Sequence, residues 1–188
     1  MRPETKQSKN ERVIAVFGGS APTEGSTGYE EARLVGRLLA QAGFTVMNGG
    51  YMGTMEAVSR GAKEAGGHTL GITNAAPFWR DLQPNPWIDR EEKASDLLSR
   101  LRRLTLADGF LVLKGSVGTL TELALTWSLM QTQAIPRVPF VLLGSHWQRV
   151  LDVFVTNSYA RPTDLAMIQV ADTPEEAVEL LTQGGKGR

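Results

Sequence analysis

The stretch Lys114-Gly-Ser-Val-Gly-Thr119, with Glu122 three residues on, has residue types and spacing that fit anion chemistry. An apolar run, FLVL, stops at the lysine, and an apolar helix-like pattern follows the second glycine. A chain does this when it leaves a buried strand through a tight turn and enters a helix. The start of a helix offers free N–H groups and a partial positive charge, which suit phosphate. Two more strand ends carry glycine-rich turns, FGGSAPTEGSTG at 17–28 and NGGYMGT at 48–54. Glycine permits positive φ and close approach of a ligand to backbone. The resulting binding set is Gly19, Ser20, Gly49, Gly50, Gly53, Thr54, Gly115, Ser116, Gly118 and Thr119, with Lys114 as an added cation. No G-x-x-x-x-G-K-[ST] or G-x-G-x-x-G spacing occurs, so neither a Walker loop nor a dinucleotide fingerprint is expected. Glu122 has two readings. Thr119-Leu-Thr-Glu122 has the form of a capping box, in which the carboxylate serves the helix start. It is expected to cap the helix in either reading, and the open question is whether it is also a reagent.

The elements that must position these residues alternate along the chain. RVIAVFGG, FTVMNGG, HTLGIT, DGFLVLKG, VPFVLLG and LAMIQVAD read as strands. GYEEARLVGRLLAQAG, GTMEAVSRGAKEAGG, REEKASDLLSRLRRLTLA, the segment after Gly118, HWQRVLDVFVTNSY and TPEEAVELLTQGG read as helices. Leu97, Leu101 and Leu104 share one helical face, and Thr173 is an N-cap followed by Pro174. Continuous apolar strands between helices predict a parallel sheet covered on both faces, an α/β Rossmann-like doubly wound fold. Ligands in such folds bind at the carboxyl ends of the strands, where the three glycine turns fall. NAAPFWRDLQPNPWID reads as a surface loop, with Phe78, Trp79 and Trp87 as a lid or as loop anchors. Residues 1–11 are expected to be a disordered tail, and 12–184 a single domain.

Composition narrows the function classes. Lys+Arg and Asp+Glu both number 20 in 188 residues, which argues against a general nucleic-acid or membrane-surface binder. The absence of cysteine removes disulfides and thiolate metal sites, and His68 and His146 lack ligand spacing, so no metal site is expected. No apolar run approaches the ~20 residues of a membrane span, and MRPETKQSKNER has no secretory h-region. A soluble cytoplasmic protein is expected. The LALTWSLM segment, with Trp127 and Met130, is apolar nearly all round, which points to burial on several sides and to a homodimer contact.

The run from FGGSAPTEGSTGYEEARLVGRLLAQAG through NGGYMGTMEAVSRGAKEAGGHTLGIT, followed by ADGFLVLKGSVGTLTELALTW, resembles the Lonely Guy family. These are cytokinin riboside 5′-monophosphate phosphoribohydrolases, with relatives often labelled lysine decarboxylases. The similarity extends over roughly residues 12–182. Family members have a Gly-Gly-Gly-x-x-Gly-Leu-Met-Gly turn and a Pro-Gly-Gly-x-Gly-Thr-x-x-Glu turn. Gly49, Gly50 and Gly53 match the first, while Asn48 replaces its leading glycine and Thr54 and Glu56 replace its leucine and last glycine. Gly115, Gly118, Thr119 and Glu122 match the second, while Lys114 replaces proline and Ser116 the middle glycine. The family's Arg-Lys pair on the preceding helix falls on Ser99 and Arg100, so Arg100 takes the arginine's role only after a one-residue shift, with Arg103 in reserve.

The resemblance implies a homodimer that cleaves the N-glycosidic bond of an AMP-like nucleoside monophosphate, with no cofactor required. Glu122 and Arg100 would be the catalytic pair. Glu122 would face the ribose, where a carboxylate can stabilise developing positive charge or activate water. Arg100 would hold phosphate or base, although both Arg100 and Arg103 also fit a solvated helix face. The same fold group includes molybdenum cofactor carriers, so a non-catalytic nucleotide or cofactor carrier is the alternative, and a nucleotide sensor a third reading. Lysine decarboxylation is not expected, because no lysine has a recognisable Schiff-base context.

Overall fold

The computed structural model describes residues 12–75 and 82–184. The expected tail at 1–11 and lid residues Phe78 and Trp79 lie outside these. Seven parallel strands, β1 (Val13–Phe17), β2 (Thr45–Asn48), β3 (Thr69–Asn74), β4 (Arg90–Ala94), β5 (Gly109–Val112), β6 (Phe140–Leu143) and β7 (Gln169–Ala171), form one sheet ordered β4-β3-β2-β1-β5-β6-β7. The inner strands are apolar and buried on both sides, as a doubly covered parallel sheet requires. The chain runs outward from β1 in one direction and from β5 in the other. The β1/β5 boundary is therefore the switch point at which a crevice opens beyond the strand ends.

Helices α1 (Thr27–Gln41), α2 (Thr54–Glu64) and α7 (Pro174–Gln183) cover one face, where Val35, Val58 and Leu181 pack on Ile14 and Val16. Helices α3 (Leu97–Leu104), α4 (Val117–Gln131) and α5 (Ser145–Thr156) cover the other, where Leu104, Leu123 and Trp147 pack on Ala15 and Phe17. A short α6 (Pro162–Leu165) precedes β7. The Thr173 hydroxyl accepts from the Glu176 N–H at 3.2 Å, the expected cap of α7.

Two elements differ from the sequence reading, the short α6 and the region from Arg90. The stretch from Arg90, expected to be one helix, begins as strand β4, and α3 starts only at Leu97. Asp96 sets the break by capping the Ser99 N–H at 2.9 Å. The REEKA strand is charged because it lies at the sheet edge, where charge discourages further pairing. Its carboxylates are also used inwardly: Glu91 accepts from the Thr73 hydroxyl at 2.6 Å, and Glu92 from Arg103. Leu101 and Leu104 are buried as expected, whereas Leu97 at the helix start is exposed.

Candidate active site

The β5–α4 turn begins where buried Leu113 gives way to exposed Lys114. The Lys114 carbonyl accepts from the Gly19 N–H at 3.2 Å, which ties this turn to the β1–α1 turn. Ser116 is the N-cap of α4, yet its side chain makes no capping bond. The first amides of α4 therefore have no side-chain acceptor and suit an anion. This start also corrects the capping-box reading. Helix α4 begins at Val117, so Thr119 is already its third residue and Glu122 lies beyond the first turn. The buried Thr119 side chain instead packs against Gly115, where any Cβ would collide with it.

The β2–α2 turn closes the crevice from the other side of β1. Gly53, at φ +70, caps α2, and a Cβ there would lie 2.5 Å from the Ser20 carbonyl carbon. The Thr54 N–H donates to the Gly19 carbonyl at 2.9 Å, so this turn is pinned to the first as well. Asn48 performs a structural task in place of the family's glycine. Its Oδ1 accepts from the Gly50 N–H at 2.7 Å and its Nδ2 donates to Ser59 at 2.8 Å. The joined turns enclose a crevice of about 440 Å³, lined among others by Gly19, Ser20, Thr54, Lys114, Gly115 and Ser116. Gly49, Gly50, Gly53, Gly118 and Thr119 support these walls without lining the crevice.

Arg100 and Glu122 project from α3 and α4, on the opposite face of the sheet from α1. The Arg100 Nε donates to the Ile72 carbonyl at 2.7 Å and its Nη2 to the Gly49 carbonyl at 3.1 Å, with Tyr51 stacked 5.7 Å away. A Cβ at Gly49 would overlap Arg100 Nη2, so any side chain there displaces the guanidinium. Two backbone carbonyls thus fix a cation at the ends of β2 and β3. Burial pushes the Glu122 carboxyl up to about 7, against the opposing pull of the Arg100 charge. Among the described residues no hydrogen bond reaches Glu122, so its charge is not committed to holding the fold.

Other expected site residues have structural partners. Arg103 does not join the site: it grips Glu92 through Nε at 2.6 Å and Nη2 at 3.2 Å, bracing α3 against β4. Trp87 is no lid. Its carbonyl accepts from Thr69 at the start of β3, the edge opposite the crevice, and Arg60 lies over its ring at 5.4 Å. Trp127 donates to the Asp164 carbonyl at 2.8 Å and borders an apolar groove of about 320 Å³ with Leu120, Val150 and Phe154.

Comparison with known proteins then decides the family. The family described as "Possible lysine decarboxylase" matches residues 55–181. The chain belongs to this Lonely Guy-like family. The SLOG cluster4 family also matches residues 11–88. Relatives called cytokinin riboside 5′-monophosphate phosphoribohydrolase occur in Mycobacterium tuberculosis, 29% identical over 88% of this chain and 91% of that protein, and in Mycobacterium marinum, 34% identical over 62% of each. A molybdenum cofactor binding protein from Rippkaea orientalis superposes with a TM-score of 0.73 at 25% identity, over 94% of this chain and 98% of that one. The molybdenum cofactor carrier protein of Chlamydomonas reinhardtii shares the fold, with a TM-score of 0.72 at 21% identity over 93% and 98%.

Within this family member, sequence reasoning missed several supporting side chains. Asn85, buried in the loop after β3, donates to the Gly50 carbonyl at 3.1 Å and the Tyr51 carbonyl at 2.8 Å, clamping the β2–α2 turn. Tyr51 in turn stacks on Arg100 and accepts from the Asn74 N–H at 2.9 Å through its hydroxyl. Glu31, one turn into α1, lines the crevice. Tyr51 and Glu31 adjoin glycine turns in the sequence, whereas Asn85 carries no such signal. Among the described residues, no group of three or more His, Cys, Asp or Glu is placed to hold a metal ion, and no helix is long and apolar enough to cross a membrane.

Proposed function

We propose that the protein hydrolyses the N-glycosidic bond of a nucleoside 5′-monophosphate, giving a free base and ribose 5-phosphate. The observation that carries this reading is Glu122. A carboxyl held near 7 by burial, beside a fixed arginine and without a hydrogen-bond partner among the described residues, is poised to exchange protons at neutral pH. The relatives in M. tuberculosis and M. marinum, both called phosphoribohydrolases, support the same chemistry.

In this account the phosphate lies in the crevice against the N-termini of α4 and α2, with Lys114 at its mouth. The ribose then extends toward Glu122 and Arg100. Cleavage of the C1′–N bond leaves positive charge on the sugar, which ionised Glu122 stabilises. The departing base takes a proton from solvent, and water adds at C1′, giving its proton to Glu122, which returns it to solvent. Arg100 orients the substrate and keeps Glu122 from rising further. No cofactor is needed for these steps.

Lysine decarboxylation is a poorer fit. The described lysines, Lys63, Lys93 and Lys114, are half-buried in an ion pair or exposed, so none is desolvated as a Schiff-base lysine would be. The second reading is a carrier that binds without turnover. The likeness to the R. orientalis molybdenum cofactor binding protein favours it, as do Lys114 and Ser116 in the phosphate turn. We also propose that the groove lined by Leu120, Trp127, Val150 and Phe154 is covered by a second copy of the chain. A panel of nucleoside monophosphates assayed for free base and ribose 5-phosphate tests the main reading. Release of both from at least one substrate supports it, and binding without release supports the carrier.

A further inference from the structure

The crevice proposed to receive the phosphate has one acidic residue in its lining, Glu31 on α1. Three helix N-termini converge on it: Ser26 and Gly28 from α1, Thr54 from α2, and Gly115 and Ser116 leading into α4. The Thr54 and Ser26 amides are already bonded to the Gly19 and Thr23 carbonyls, so Gly28, Gly115 and Ser116 supply the amide donors, and Lys114 supplies a positive charge. Such a site attracts phosphate without counting how many are linked together. Glu31 lines the same crevice from the α1 side. Its neighbour Glu30 is engaged, accepting from the Gly25 N–H at 3.3 Å and pairing with Arg33. Glu31 has no hydrogen bond or ion pair among the described residues. Burial raises its pKa and no cation offsets that rise.

We propose that Glu31 is a specificity-determining residue, which limits the crevice to a single phosphate and rejects nucleoside di- and triphosphates. This rests on the phosphoribohydrolase reading. There the sugar points toward Arg100 and Glu122, on the α3 and α4 face of the sheet. A β-phosphate would extend away from the sugar, deeper into the crevice and toward the α1 wall. It would meet an unpaired carboxylate in a partly desolvated space, where like charges repel strongly. A monophosphate stops at the helix N-termini and avoids this contact. The arrangement answers a need specific to this chemistry, since the amide-rich walls would otherwise favour the more highly charged nucleotides.

The test compares AMP and ADP binding, by calorimetry at fixed ionic strength, in the full chain and in Glu31→Gln and Glu31→Lys variants. AMP turnover in the unaltered protein is measured alongside. The unaltered protein should bind AMP on the order of tenfold or more tighter than ADP. Glu31→Gln should bring the two affinities together, and Glu31→Lys should invert their order. A preference for ADP in the unaltered protein, or an ADP/AMP ratio that neither variant changes, overturns the role of Glu31 while leaving the hydrolase reading intact. Absence of both nucleotide binding and turnover in the unaltered protein overturns the hydrolase reading itself, and this inference with it.

Discussion

Replacing Glu122 by glutamine should make the protein more stable and less active, and the size of the first effect follows from the half-buried carboxyl. Folding raises this group from an ordinary 4.5 to about 7, so the folded chain favours its protonated form. The stabilising contribution is therefore complete below about 4.5 and is lost as the pH rises through about 7. Each tenfold in acid dissociation is worth ~1.4 kcal/mol, so the ionised carboxylate, which solvent still reaches, costs at most about 3 kcal/mol at pH 8. Glutamine keeps the shape and carries no charge. Glu122→Gln should gain up to about 3 kcal/mol at pH 8, a rise of roughly 6–12 °C in melting temperature for a chain of this size. At pH 5 the gain should fall to about 1 kcal/mol or less. Turnover should drop by about 10²–10⁴, the usual contribution of a positioned proton-transfer group. In the unaltered protein, turnover should rise with pH through an apparent pKa near 7. Thermal melts at the two pH values, with nucleotide hydrolysis on the same samples, give all of these quantities. A variant no more stable than its parent at pH 8 would refute the claim that Glu122 is held at a cost to the fold. Undiminished turnover would refute its chemical role.

Further substitutions probe the supports of the site. Arg100→Met removes the bonds to the Ile72 and Gly49 carbonyls, and should cost about 2–4 kcal/mol in urea unfolding while abolishing turnover. Gly49→Ala places a methyl group on Arg100 Nη2, so turnover should fall at least about tenfold with the circular dichroism spectrum retained, since a small misplacement of a positioning group has effects of this order. Introducing glutamate at both Leu120 and Phe154 should convert a dimer to a monomer in sedimentation analysis. An unchanged sedimentation coefficient would exclude that groove as the contact.

Much of this was legible in the sequence because it depends on local, periodic signals. Continuous apolar runs such as IAVF and FLVL identify buried parallel strands, and their glycine-rich ends place the crevice. Strand β4 was not legible, because REEKA carries no apolar alternation and its pairing is set by the neighbouring β3. The capping box failed for a related reason. The Thr-x-x-Glu spacing is local, but the helix starts at Val117, which leaves Thr119 packed on Gly115 and Glu122 in the second turn. Choosing between Arg100 and Arg103 also needed three dimensions. One meets two carbonyls at the ends of β2 and β3, while the other meets a carboxylate on a strand the sequence had hidden. Trp87 is the loop anchor of its two readings, a choice loop composition does not make because it does not say at which end of a strand the loop packs.

The most direct test of the central claim measures AMP binding and AMP cleavage together, in the unaltered protein and in Glu122→Gln, at pH 8. Equal amounts of adenine and ribose 5-phosphate should accumulate over many turnovers with the unaltered protein, and the variant should bind AMP but release almost none. AMP bound by both proteins and cleaved by neither would contradict the account and leave the carrier in its place.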